Sequence, residues 1–121
     1  MPPKRKTFGQ VLREKRLAKG HSLRKFAELI DVSPTYLSLV EQGKVERPPT
    51  AERVRRMAEL LDEDVDEFIA LAGRVPEDLP EIIRSEPGLM PDLLRGAKGL
   101  SKKQLEEVLE QMRRMKDKER D

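Results

Sequence analysis

The run SPTYLSLVEQGK, residues 33–44, gathers hydroxyls at Ser33, Thr35, Tyr36 and Ser38, an amide at Gln42 and a cation at Lys44. All of them fall within about three helical turns. Groups of this kind form hydrogen bonds and ion pairs, and bond-breaking chemistry would need partners that the chain lacks. His21 is the single histidine and sits in a polar turn, there is no cysteine, and no glycine-rich phosphate loop is present. The acidic run Asp62-Glu63-Asp64 has no histidine beside it and reads as helix-end solvation and N-capping. The sequence therefore points away from an enzyme and implies no cofactor and no metal.

On a helical wheel Leu37, Val40 and Glu41 share one side, which must face inward. Thr35, Leu39 and Gln42 point the opposite way, with Tyr36 and Ser38 on the flanks. An outward face of one leucine, one tyrosine and small hydroxyls is poorly explained by solvation. It suits the major groove of double-stranded DNA, where hydroxyls bond bases or phosphates and apolar side chains touch thymine methyls. Thr35, Tyr36, Ser38 and Leu39 are the base-facing candidates, the alternative being a surface for a partner protein. Ser22, Arg24, Lys25, Ser33, Gln42, Lys44 and Arg47 are candidates for phosphate contact, or else an ordinary solvated rim. The basic arm of residues 1–6, with Lys4, Arg5 and Lys6, would reach a neighbouring groove or serve as a solubilising tail.

These residues need a scaffold, and the chain reads as a string of short helices with almost no strand signal. The first starts at the cap Thr7, runs through Phe8, Val11, Leu12 and Leu17, and stops at Gly20. Ser22 caps a second over Leu23 to Ile30, with Phe26, Ala27 and Ile30 inward. Asp31 takes a turn position that wants a left-handed backbone. Ser33 then caps a third helix, with Pro34 at its first position and Gly43 just past its end. After the rigid Arg47-Pro-Pro-Thr linker, Thr50 caps a fourth helix facing inward through Val54, Met57, Ala58 and Leu61. A fifth runs from Val65 to Ala72 and ends at Gly73.

Composition fits this picture. The 121 residues are 40% charged and 3% aromatic, so the core is aliphatic and the surface heavily solvated. No apolar run approaches membrane-spanning length, and the absence of cysteine suits a reducing compartment, so the expected location is the cytoplasm, without a membrane partner. Net charge is only +2, yet nine basic residues stand against one Glu14 between Met1 and Lys25. From Glu59 to Glu67 every charge is acidic. Such polarity is expected if one face meets a polyanion and the other avoids it, or if both are solvated helix faces.

Taken together, LRKFAELIDVSPTYLSLVEQGK, PPTAERVRRMAELL and DVDEFIALAG make residues 7–72 resemble the Cro/C1-type (XRE, phage-repressor-like) helix-turn-helix family. The resemblance implies an all-α, five-helix lambda-repressor-like DNA-binding domain over residues 7–73, with a short helical C-terminal extension. It also implies that Arg16 pairs with Glu41, tying the first helix to the third. The sequence departs from the family in Asp31, where a turn glycine is common. A second departure is the absence of Gln, Asn or Arg at Pro34, Thr35 and Leu39, which removes the usual bidentate base contacts.

Beyond Gly73 the texture changes. Prolines at 76, 80, 87 and 91 cut the chain into pieces, Leu79 to Arg84 and Pro91 to Arg95, followed by a loose Gly96-Ala-Lys-Gly99. Ser101 and Gln104 form a capping box for a last helix reaching towards Lys118. Along it Leu105, Val108, Met112 and Met115 make an apolar stripe, with Leu109 beside it. Two heptads are too few for an isolated coiled coil, so the stripe must pack on the first domain or on a second copy of the chain. Two functions stay open on these grounds. One is a repressor that binds an inverted repeat as a homodimer. The other, implied by the resemblance, is an antitoxin-like or protease-controlled module whose residues 77–121 bind a partner protein, with Gly96 to Gly99 as an accessible cleavage point or simply a linker.

Overall fold

The computed structural model describes residues 6–120, and Lys4 and Arg5 of the basic arm lie outside them. Eight helices and no strand occur among the described residues: α1 (Phe8–Ala18), α2 (Leu23–Leu29), α3 (Pro34–Gln42), α4 (Ala51–Leu61), α5 (Val65–Leu71), α6 (Leu79–Ser85), α7 (Met90–Ala97) and α8 (Lys102–Arg120). The chain divides into two compact units, Met1–Leu79 and Pro80–Asp121.

In the first unit the helix boundaries follow local chemistry. Thr7, Ser22, Ser33, Thr50 and Asp64 each accept a backbone N–H three residues on, satisfying donors that every helix start leaves free. Thr7 and Gln10 close a full capping box. Gly43 ends α3 in the left-handed conformation at φ 71°, and Asp31 takes the same region at φ 59° between α2 and α3. Asp62 does so at φ 55° after α4, within the acidic run read as helix-end solvation and capping.

The core is aliphatic with two phenylalanines. Leu12, Phe26, Ala27, Leu37, Val54, Met57 and Ala58 are wholly enclosed, and Ile30, Val40, Leu61, Phe68 and Ile69 nearly so. Burying each larger side chain contributes about 1.5–3 kcal/mol, which is what holds such short helices together. Helices α1 and α2 both pack on α3, while α4 packs on α5. Leu17 does not join this core: it is 55% exposed, and the buried position beside it goes to Arg16. Arg74 bonds the carbonyls of Pro48 and Pro49 at 2.6 and 3.0 Å, fixing the linker that leads into α4.

The second unit contains α7 and α8 with most of α6. Ser101 and Gln104 form the expected capping box. Gly96 and Ala97 belong to the last turn of α7, so the expected loose segment shrinks to Lys98 and Gly99, with Gly99 at φ 91°. A single glycine costs a helix only about 1 kcal/mol, so Gly96 continues α7 rather than breaking it.

Candidate nucleic-acid interface

Helix α3 presents two faces as its sequence requires. Leu37, Val40 and Glu41 are buried, whereas Thr35, Leu39 and Gln42 are exposed and Tyr36 and Ser38 half-buried. Glu41 accepts two bonds from Arg16, to Nε at 2.7 Å and Nη2 at 3.0 Å, and Arg16 gives a third to the His21 carbonyl. This fork joins α1, the α1–α2 turn and the end of α3. A buried carboxylate would otherwise be costly, and paired in this way it sets the rotation of α3 about its own axis.

The base-facing candidates are not equally free. Thr35 and Leu39 are open to solvent. Ser38 accepts a bond from the Gln42 amide at 2.9 Å, so these two act as one polar unit on the helix surface. Tyr36 packs partly against the core, and the Arg53 guanidinium lies over its ring at 5.8 Å.

The phosphate candidates have distinct local roles. The hydroxyls of Ser22 and Ser33 accept the backbone N–H groups of Lys25 and Tyr36, so they serve first as caps. Their helices nonetheless begin there with further N–H groups unbonded. Arg24 lines a crevice with Ser33 and Pro34, which brings its charge to the start of α3. Lys25, Lys44 and Arg47 are exposed.

The basic start of the chain is less free than its composition indicates. Lys15 pairs with Glu63 at 3.1 Å, Lys19 with Asp62 at 2.6 Å, and Lys6 with Glu14 at 2.9 Å. Part of the acidic run thus neutralises the tail of α1 within the fold. Lys19, by hydrogen bond and then by charge, holds the Asp62 carboxyl below its ordinary value.

Three residues escaped the sequence reading. Gly9 is buried inside α1, and a Cβ there would meet the Glu41 carbonyl oxygen at 2.4 Å and that of Val40 at 2.6 Å. A glycine within the first turn of a capped helix is the one signal that could have flagged it. Arg13 lines a crevice with Ser38 and Gln42, and its place three residues before Arg16 put it on the same helix face. Arg53 had no local signal, because its neighbour Tyr36 is contributed by another helix.

In the second unit Leu105, Leu109, Met112 and Met115 are exposed and Val108 is half-buried. Met90, Leu93 and the α8 residues Val108, Leu109, Met112 and Met115 line an open apolar trough between α7 and α8. No helix among the described residues is long and apolar enough to cross a membrane.

Comparison with known proteins follows the same outline. Residues 12–68 match the helix-turn-helix family HTH_3. Among solved structures, the Clp gene regulator ClgR from C. glutamicum is 32% identical, over 60% of this chain and 95% of the other, with a TM-score of 0.47. The biofilm master regulator SinR, solved in complex with DNA, is 28% identical over 52% of this chain and 98% of its own, also at 0.47. No curated protein matches the chain. Residues 12–68 thus carry a helix-turn-helix domain of the HTH_3 kind, the XRE or Cro/C1-type group.

Proposed function

We propose that the protein is a cytoplasmic transcriptional repressor that binds an inverted repeat as a homodimer, with α3 in the major groove of each half-site. The observation that carries this reading is the outer face of α3. Thr35 and Leu39 are open, Ser38 and Gln42 are hydrogen-bonded to each other, Arg24 lies at the start of α3, and Lys44 and Arg47 are exposed beyond its end. In this reading Thr35, Tyr36, Ser38 and Leu39 meet base edges. Ser22, Arg24, Lys25, Ser33, Gln42, Lys44 and Arg47 hold the backbone, which positions the helix without reading sequence. A face with one open hydroxyl, one amide-bonded hydroxyl and a leucine reads methyl groups and groove shape more than bidentate donor patterns.

Residues 7–73 form the DNA-binding domain and residues 74–121 the pairing segment in this proposal. Support for pairing comes from the exposed stripe on α8, since a single small domain covers little DNA and gains specificity from two half-sites. The same stripe favours a second reading, in which the extension captures another protein and DNA binding is secondary. Selection of bound sequences from random double-stranded DNA, followed by stoichiometry on the winner, tests the first. A two-fold symmetric site bound by two chains supports it, and a lone half-site bound by one chain overturns it.

A further inference from the structure

We propose that Arg53, on α4, is a specificity-determining residue of the DNA-reading surface: it positions the Tyr36 ring and bonds a phosphate beside it. The inference rests on the reading of α3 as the recognition helix and goes beyond it, because the residue lies outside the helix-turn-helix itself.

Helix α4 carries three arginines, Arg53, Arg55 and Arg56. Arg55 is held by Glu52 and Glu59, and Arg56 donates to the Leu29 carbonyl at 2.9 Å. Among the described residues the Arg53 guanidinium has no ion pair and no hydrogen bond, and it lies over the face of Tyr36 at 5.8 Å. Arg53 also stands in the first turn of α4, where its backbone N–H is bonded by the Thr50 cap. A cation there faces the positive end of the helix dipole and is locally unfavourable. Five donors in a planar fork, left without an acid, match a phosphate oxygen pair.

The ring contact makes the placement more specific. A tyrosine ring on the flank of α3 can turn about its Cα–Cβ and Cβ–Cγ bonds, and a guanidinium lying over its face favours one orientation of the ring plane. Fixing the ring before DNA arrives fixes which groove contours it tolerates, and this raises discrimination rather than bulk affinity. Lysine would preserve the charge while giving up the planar fork.

The test uses the full-length chain, the selected site and a random duplex of equal length, titrated over a salt series. Arg53→Ala is expected to lower the preference for the selected site by about tenfold and to reduce the slope of log K against log salt by about one. Arg53→Lys should keep the slope and lose most of the preference. In Tyr36→Ala, adding Arg53→Ala should cost no further preference but still reduce the slope. Wild-type preference and slope in both single variants would overturn the inference, as would losses of preference that add fully in the double variant. If Arg53→Ala melts early, Arg53→Lys decides the question. A wild-type protein that binds no DNA overturns the recognition-helix reading itself, an outcome distinct from unchanged variants on a chain that binds.

Discussion

Gly9 of α1 rests directly on the backbone of Glu41 at the end of α3, so closely that a methyl group on its Cα would lie 2.4 Å from the Glu41 carbonyl oxygen. Backbone atoms cannot yield as a side-chain tip would. Gly9→Ala should therefore destabilise the domain by about 1–3 kcal/mol, although alanine is the better helix former. Thermal melting measures the loss, and an unchanged or raised midpoint would contradict the close approach.

The Arg16–Glu41 pair should behave as a unit. Removing one partner, as in Glu41→Ala, leaves a buried guanidinium uncompensated and should cost about 3–5 kcal/mol. Replacing both, as Arg16→Met with Glu41→Leu, should cost less than either single change. Denaturant titration of the four proteins closes the cycle, and strict additivity would show that the two side chains do not depend on each other.

Asp62 offers a pH test with a defined sign. Lys19 holds its carboxyl below the ordinary 3.8 in the folded chain. The linked stabilisation is thus complete above the unfolded value and is lost as pH falls through the lower, folded one. Titration of the Asp62 carboxyl by NMR should show its midpoint rising in Lys19→Ala, and a midpoint that stays put would exclude the pair. The effect on melting should be small, because both groups are exposed to solvent and salt.

On DNA, Leu39→Ala should weaken the selected site far more than random sequence. Lys44→Ala should instead weaken both alike and flatten the salt dependence. Equal losses on both duplexes for Leu39→Ala would remove it from the base-facing group.

Charge placed on the α8 stripe should separate the pairing readings. Met112→Lys, at an exposed position, is expected to leave the melting of the first unit intact while making the chain monomeric by sedimentation at micromolar concentration. The same variant should lose cooperative occupancy of a double site. Wild-type chain that is already monomeric, and stays so on DNA, would favour capture of another protein.

The sequence alone determined the helices of the first unit, because each boundary is written in a few adjacent residues. Ser33 with Pro34 opens α3 and Gly43 closes it, while Thr50 opens α4, and hydrophobic spacing turns the inner faces towards one another. The inner and outer residues of α3 follow from the same local rule. What it could not supply were relationships between residues distant in the chain. The contact of Gly9 with residue 41 depends on how closely two helices approach. The pairing of Lys15 and Lys19 with Glu63 and Asp62 depends on where α1 ends relative to the α4–α5 turn. The placement of Arg53 over the Tyr36 ring joins different helices, and no periodicity within either one encodes it. Local chemistry sets where helices begin and end, whereas packing of the assembled core decides which side chains are left over to meet a partner.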